Sequence, residues 1–532
     1  MTVAEYIADQ LLKNNIRHVF GIPGGPSIPY LEAFRSAGIN FILTSNEAAA
    51  GIMADVSARL TGITGVCHST YGPGAANIAA GTGGAFLDRS PVIVFTSEMS
   101  DTLISRTTQM NIDHQKLLKP ITKATFRLTS TNVSEVLGTT FRICREEYPG
   151  PVHIGLPSGI ANTEIYPTYE DNTVSDGKVI DNDINRIIQI LKKGRKPLIA
   201  VGLTSARLAI GADLTKFLEE NKIPVVLTPM AKGLLSENHP CYAGILSHAL
   251  SDYLEDIFDR TDLVIGLGYD PVEYNYESWI PDVPLVHFDT KKTDMPLSLN
   301  VVQYSGPSSE WFRCLENLDA GSLIFDTSVL DTIRDEMASV FFGFTDHFGP
   351  VTVLMVLQEE LPGDTLVAVD VGSHLHLAGQ YWKCNGKQKL IMTNGWSGMG
   401  FGLPAALACQ LVNPRSTVVC VTGDGGFLMM AGEIITARRY NLPVITIVLS
   451  DGELNLIRLK QSWQNIAPYG TELYTGDLFD SDRFFGVRVL TVDSEERMRT
   501  AITTALSLNE PVIINARIDP DDYSWLVVRQ QP

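Results

Sequence analysis

Two aspartates, Asp424 and Asp451, stand where apolar runs give way to glycine, a setting suited to holding a divalent cation against a phosphate. The first run starts at Val418 and ends in Gly423-Asp424-Gly425-Gly426; the second, Val444 to Leu449, ends in Ser450-Asp451-Gly452-Glu453. Glycines beside Asp424 let backbone approach a phosphate closely, and a helix that follows them offers unpaired amides to an anion. Magnesium takes oxygen ligands from a few protein groups and from substrate phosphates, which suits two carboxylates and a nearby carbonyl. A lone Gly-Asp-Gly is equally an ordinary tight turn, so the interval to the second aspartate has to decide between the two.

For the two carboxylates to converge, the runs must be parallel strands, because ligands of open α/β sheets bind beyond the carboxyl ends of the strands. The rest of the chain has that organisation. Segments of helical period alternate with short β-branched runs, the pattern of parallel sheets covered by helices on both faces. The expected fold class is α/β, with three doubly wound parallel-sheet domains at 1–165, 181–320 and 346–532. In the first, Val3 to Asn15 reads as a helix, and Val19-Phe20, Phe41 to Leu43, Gly65 to Cys67, Val92 to Phe95 and Val152 to Ile154 as strands. In the second, strands are expected at Pro197 to Val201, Val225 to Leu227, Leu263 to Leu267 and Leu285 to His287. In the third they are expected at Thr365 to Val371, Ser416 to Thr422, Val444 to Leu449 and Val512 to Ile514, with a helix from Ala431 to Tyr440. Glu164 to Gly177 reads as a linker and Asp319 to Asp346 as a second loose region.

Bulk properties limit what such a chain does. Its 532 residues exceed what one hydrophobic core serves, and 45% hydrophobic with 19% charged residues reads as soluble and globular. A formal net charge of -19 argues against nucleic acid and anionic membranes as partners. The seven cysteines (Cys67, Cys144, Cys241, Cys314, Cys384, Cys409, Cys420) are scattered and form no Cys-x-x-Cys pair, so reduced thiols are expected. The first residues interleave charges with apolar positions at helical spacing, unlike a signal peptide, and no later stretch is apolar enough to cross a bilayer. A cytoplasmic protein is expected.

The interval from Gly425 to Ser450 resembles the thiamine-diphosphate motif, in which Gly-Asp-Gly precedes an Asn-Asn pair. Asp451 stands where the family has its metal-binding second Asn, which keeps an oxygen ligand and adds negative charge. The resemblance implies that Asp424, Asp451 and the backbone carbonyl of Glu453 hold magnesium. Over nearly the whole chain the likeness is to the acetohydroxyacid (acetolactate) synthase branch, and the three blocks would be the pyrimidine-binding, central and diphosphate-binding domains.

Further segments carry the same resemblance. Thr44 to Ala50 looks like the segment bearing the family's activating glutamate, which places that role on Glu47. A carboxylate on the aminopyrimidine N1′ favours the imino tautomer, which then takes the proton from the thiazolium C2. His68 to Asn77, with Gly72, Pro73 and Asn77, resembles the glycine-rich loop beside the cofactor. Asp370 to His374, with Gly372, Ser373 and His374, looks like the loop that contacts the diphosphate. His374 is there either a phosphate contact or a surface residue. Thr393 to Gly402, with Ser397 and Met399, resembles the segment whose bulky residue wedges under the cofactor; Met399 as core filler is the alternative. Gly423, Gly425, Gly426 and Asp451 complete the cofactor set.

The resemblance implies attack on a 2-keto acid and loss of carbon dioxide, after which the captor decides the outcome. A second carbonyl makes a carboligase, a proton makes a decarboxylase, and a flavin or quinone makes an oxidase. Gly268 to Asn275 followed by Trp279 is similar to the flavin-free catabolic acetolactate synthases, so no tightly bound FAD is expected. Gln109 resembles the active-site glutamine of carboligases. It is one residue out of register with the acetohydroxyacid synthases and in register with benzaldehyde lyase; an exposed loop amide is the other reading. Lys460 stands where the biosynthetic synthases carry an acceptor-selecting tryptophan, and Pro26 lies where some catabolic ones carry a lysine. Arg458 and Lys460 either face the cofactor, where they suit an acidic substrate, or lie on a solvated helix face.

Three functions therefore stand: carboligation in the manner of acetolactate synthase, simple decarboxylation of a substituted, possibly acidic, 2-keto acid, and a catalytically silent cofactor-binding or regulatory protein. The presence of Glu47 with Asp424 and Asp451 speaks against the last. The resemblance also implies sites shared between chains, hence at least a homodimer, with a homotetramer expected.

Overall fold

In the computed structural model, residues 1–166, 183–296, 298–319, 323, 328–384 and 388–526 are described. They form three sheets in chain order. The first contains β1 (His18–Gly21), β2 (Asn40–Leu43), β3 (Gly65–Ser69), β4 (Val92–Glu98), β5 (Ala124–Arg127) and β6 (Val152–Pro157), in the order β2-β1-β3-β4-β6-β5. The second contains β7 (Pro197–Val201), β8 (Val225–Leu227), β9 (Tyr242–Ile245), β10 (Leu263–Leu267), β11 (Leu285–Asp289) and β12 (Val301–Ser305), in the order β12-β11-β10-β7-β8-β9. The third contains β13 (Leu366–Val369), β14 (Lys389–Ile391), β15 (Val418–Gly423), β16 (Ile445–Ser450), β17 (Arg483–Phe484), β18 (Val487–Val492) and β19 (Val512–Arg517), in the order β14-β13-β15-β16-β19-β18-β17. Pairing is parallel throughout the first two sheets and in the third except at the antiparallel β17–β18 ribbon. The fold is α/β.

Every strand expected from the sequence is present, with ends a few residues off. Six others were not expected: β5, β9, β12, β14, β17 and β18. All six lie at sheet edges or in the edge ribbon, and in some of them the apolar run that marks a central strand is diluted: β5 is half-buried at all four positions and β14 is buried at one of three.

Two expectations about connections need correction. The loose region expected at 319–346 contains the helix Ser328–Phe342, which buries Leu330, Ile333, Met337 and Phe341. That stripe has helical spacing, but charged neighbours interrupt it along the sequence. The expected linker begins too early: Ile165 is buried, its N–H donates to the Met1 carbonyl, and Thr2 bridges to Glu164. The remainder of that stretch, 167–177, lies outside the described residues.

The sheets are not independent. Helix Glu47–Thr61 packs on helix Gly402–Val412, so Ala50, Met53 and Ala54 share one core with Phe401, Leu403 and Leu407. On its other side it crosses helix Gly72–Leu87 at Gly51 and Gly81, where a Cβ on Gly51 would lie 2.8 Å from the Gly81 Cα. Glycine is required there by the approach of the two backbones. No helix among the described residues is long and apolar enough to cross a membrane.

Candidate active site

Strands β15 and β16 are parallel neighbours in register from Val419↔Ile445 to Gly423↔Leu449, so Asp424 and Asp451 leave the sheet at one edge. Asp424 opens the helix Asp424–Met430. Its Oδ2 accepts from Gly452 N at 2.8 Å, Asp451 N at 3.2 Å and the Tyr474 hydroxyl at 2.9 Å, while Oδ1 accepts from Gly425 N at 2.8 Å. Gly452 needs its left-handed backbone, φ +79°, to turn that amide towards Asp424. Asp451 Oδ1 accepts from Glu453 N at 3.1 Å, and the Glu453 side chain is taken up by Arg458 at 2.7 Å. Burial raises the carboxyl pKa of Asp424; burial, followed by the charge of Asp424, raises that of Asp451 to about 7. Two acids that hinder each other's ionisation are what a divalent cation relieves, so the donor set fits one.

Beside this pair lies an anion cradle. Strand β13 ends at Val369, just before Asp370; Gly372 precedes helix Ser373–Tyr381, and a Cβ on Gly423 would come within 3.3 Å of the His374 ring. Ser373 Oγ and His374 Nε2 are buried without hydrogen-bond partners, and burial lowers His374 to a pKa of about 4, leaving the ring neutral. His374 is 5% exposed, which excludes its reading as a surface residue. Orphaned polar atoms at a helix N-terminus, next to a Gly-Asp-Gly turn, match what a diphosphate requires.

The segment 394–400 forms a strap over the same edge. Its start is held by the first block: Arg59 Nη1 donates to the Met392 carbonyl at 2.7 Å, and Asp88 Oδ1 accepts from Gly395 N at 3.1 Å. Trp396 lies on helix Gly72–Leu87 so closely that a Cβ on Gly83 would be 2.6 Å from its ring. Its end is held by Asp370, whose Oδ1 accepts from Gly400 N at 2.8 Å and Phe401 N at 3.1 Å. Between these anchors Met399 places its methyl 3.1 Å from where a Gly425 Cβ would stand, in company with Leu454. Ser397 is exposed, with φ +50°, and its hydroxyl donates to the Asn394 carbonyl.

In the first block, Asn46 caps helix Glu47–Thr61 by accepting from Ala48 N at 2.7 Å. Glu47 is 8% exposed; Asn77 Nδ2 donates to its Oε2 at 3.0 Å, and Gly74 leaves room for its Oε1. Gly72 donates to the Met110 carbonyl at 3.0 Å, which brings the loop bearing Gln109 over the start of helix Gly72–Leu87. Gln109, Pro73 and Asn77 are exposed and Gly72 is buried. Pro26 is half-buried in the turn Gly25–Ser27, whose Ser27 Oγ contacts His68 Nε2 at 2.6 Å.

Three regions of the chain match the thiamine pyrophosphate enzyme family: residues 1–117 its N-terminal TPP binding domain, 184–303 its central domain, and 370–516 its C-terminal TPP binding domain. The chain belongs to the thiamine pyrophosphate enzymes. It is 27% identical to a probable acetolactate synthase large subunit of Methanococcus aeolicus, over 99% of this chain and 94% of that one. It is 27% identical to the acetolactate synthase isozyme 2 large subunit of Escherichia coli K12 (99% and 97% covered), and 26% identical to the acetolactate synthase of Bacillus subtilis 168 (98% and 93%).

Three residues to which the motifs assigned no role of their own also meet the site. Asp370 joins the strap to the Gly-Asp-Gly turn, for its Oδ2 also accepts from Thr422 Oγ1 at 2.9 Å. Tyr474 reaches Asp424 from a segment with no motif of its own. Glu433 ties the first block to the third, as described below. An aspartate just past a strand and ahead of Gly372 was a legible signal for Asp370; nothing comparable marks Tyr474. Lys460 is exposed on helix Asn455–Trp463, whose inner side is Asn455 and Leu459.

Proposed function

We propose that this thiamine pyrophosphate enzyme decarboxylates a 2-keto acid and joins the remaining acyl unit to a second carbonyl compound, as an acetolactate synthase does. The observation that carries this reading is the buried Glu47 carboxylate, held by Asn77 beside Gly74, in a chain that also brings the half-buried Asp451 to the buried Asp424 of a Gly-Asp-Gly turn. A scaffold has no use for a sequestered proton-transfer carboxylate. Bound thiamine diphosphate supplies a nucleophilic carbon and an electron sink for the departing carboxylate.

The protein's own residues bind, orient and move protons. Ionised Asp424 and Asp451, with the Glu453 carbonyl, would hold magnesium; Ser373 and His374 would contact the diphosphate, and Gly423, Gly425 and Gly426 would admit it to the backbone. Met399 presents an apolar wedge supported at both ends of its strap. Glu47 would hold or give up the proton shared with the aminopyrimidine N1′, and Gln109 would offer an amide to the substrate from the loop over Gly72. We place Glu47 and Asp424 of one catalytic unit on different chains of a homodimer, itself half of a homotetramer. A second reading, decarboxylation without carboligation of an acidic 2-keto acid, is favoured by the exposed Lys460 on the helix that follows Asp451.

Flavin has no part in this reading. Beyond the ends of β7 and β8, where a doubly wound sheet takes a dinucleotide, the chain's own Glu273 carboxylate accepts from Leu203 N at 3.0 Å, Met230 N at 2.8 Å and Thr228 Oγ1 at 2.7 Å. A pure protein that is yellow would refute this part.

The test is a panel of 2-keto acids supplied with thiamine diphosphate and magnesium, read by carbon dioxide release and product mass. A branched hydroxy-keto acid from pyruvate supports carboligation, and an aldehyde alone supports the second reading. No carbon dioxide from any keto acid overturns both.

A further inference from the structure

Glu433 is a carboxylate with no solvent exposure, in the third block, and two of the three donors it receives come from the first. It opens helix Glu433–Arg439, shortly after the helix that begins with Asp424. Its Oε1 accepts from Ser45 N at 2.9 Å and from Asn46 N at 3.0 Å, and its Oε2 accepts from Thr436 Oγ1 at 2.7 Å. The same junction is closed by Ser45 Oγ, which donates to the Gly432 carbonyl at 2.8 Å, and by Met430 packed on Ala48 and Ala49.

These contacts do more than join two blocks. Asn46 is the capping residue of helix Glu47–Thr61, and Glu47 is its first residue. One oxygen that receives two consecutive amides fixes both peptide planes ahead of the helix, and so the direction in which Glu47 leaves the backbone. Asn77 and Gly74 then shape only the end of the side chain. An apolar contact would serve equally well to hold the blocks together. A buried acid, whose carboxyl pKa burial raises, is a costly way to do so unless the donors it receives must be aimed.

We infer that Glu433 is a positioning residue for Glu47: by clamping the amides of Ser45 and Asn46 it sets the reach of the Glu47 carboxylate towards the cofactor's aminopyrimidine. This rests on the reading of Glu47 as the activating acid. Glu433 itself touches neither cofactor nor substrate in this account.

The experiment compares Glu433→Ala, Glu433→Gln and Glu47→Gln with the unaltered full chain. Two quantities are read: amide hydrogen exchange across 44–48 without cofactor, and the exchange rate of the C2 proton of bound thiamine diphosphate, alongside cofactor Kd. In Glu433→Ala the Ser45 and Asn46 amides exchange faster and C2 exchange falls on the order of a hundredfold, the usual effect of a catalytic group displaced by about 1 Å. Its Kd stays within a few-fold, because Asp424, Ser373 and His374 are untouched. Glu433→Gln, whose carbonyl oxygen still accepts both amides, restores most of the rate. Should the alanine protein not fold, Glu433→Asp withdraws the oxygen from both amides while keeping the charge and serves in its place. C2 exchange unchanged in Glu433→Ala, or in Glu433→Asp, with Glu47→Gln abolishing it, overturns the inference. C2 exchange unchanged in Glu47→Gln overturns instead the reading on which it rests.

Discussion

Replacing Asp370 separates its work in the fold from any contact with ligand. The carboxylate is 1% exposed and receives Val371 N at 2.6 Å, Gly400 N at 2.8 Å, Phe401 N at 3.1 Å and Thr422 Oγ1 at 2.9 Å. In Asp370→Ala three backbone amides lose their acceptor in a region where the Gly426 Cβ position lies only 2.6 Å from Asp370 Oδ2. Each buried donor left unpaired costs about 1–3 kcal/mol, while removing a buried charge offsets part of the sum, so a net loss of about 2–4 kcal/mol is expected. Asp370→Asn keeps an acceptor for Gly400 and Phe401 and should lose only about 1 kcal/mol. Urea unfolding of the cofactor-free protein, with slopes compared, measures both. The alanine variant should also bind thiamine diphosphate more weakly, since the strap bearing Met399 loses its second anchor. If alanine and asparagine variants unfold at the same urea concentration, Asp370 does not act as a hydrogen-bond hub.

Other expectations follow from the same geometry. Asp424→Ala should abolish magnesium-dependent binding of thiamine diphosphate, seen by calorimetry, while the fold measured by circular dichroism persists. Burial, the largest cause, raises the Glu273 carboxyl pKa to about 8, so between about pH 4.5 and 8 the folded chain retains a proton that the unfolded chain releases, and this group's contribution to stability falls as pH rises. Glu273→Gln cannot titrate, so its thermal midpoint relative to the unaltered protein should improve from pH 5 to pH 8; a constant difference would count against the shift. Gly83→Val must push the Trp396 ring away and should weaken cofactor binding several-fold, whereas Gly25→Ala, whose added Cβ meets nothing within 4 Å, should leave it unchanged. Mixing Glu47→Gln with Asp424→Ala protein under subunit exchange should restore some carbon dioxide release; none, despite demonstrated exchange, would contradict shared sites.

What was readable in advance had a local physical cause. Central strands such as β15 and β16 are buried on both faces and read as unbroken apolar runs, so their carboxyl ends, and Asp424 and Asp451 with them, could be located from the chain alone. Half-solvated edges such as β5 and β14 could not. The helix Ser328–Phe342 was missed because its stripe, Leu330, Ile333, Met337 and Phe341, is made visible by the core it meets rather than by neighbours in sequence.

The sequence by itself determined the α/β class, the convergence of Asp424 with Asp451, and Glu47 at a helix start, because strand alternation, turn glycines and caps are set by residues close together in the chain. Only the tertiary structure decided how these parts are held. Asp370 reaches Gly400 within the third block, while Asp88 reaches Gly395 and Glu433 reaches Ser45 and Asn46 across blocks far apart in the chain. No periodicity or spacing encodes a hydrogen bond between such distant residues, since it exists only once the packing of helices Glu47–Thr61, Gly72–Leu87 and Gly402–Val412 has brought the two backbones together.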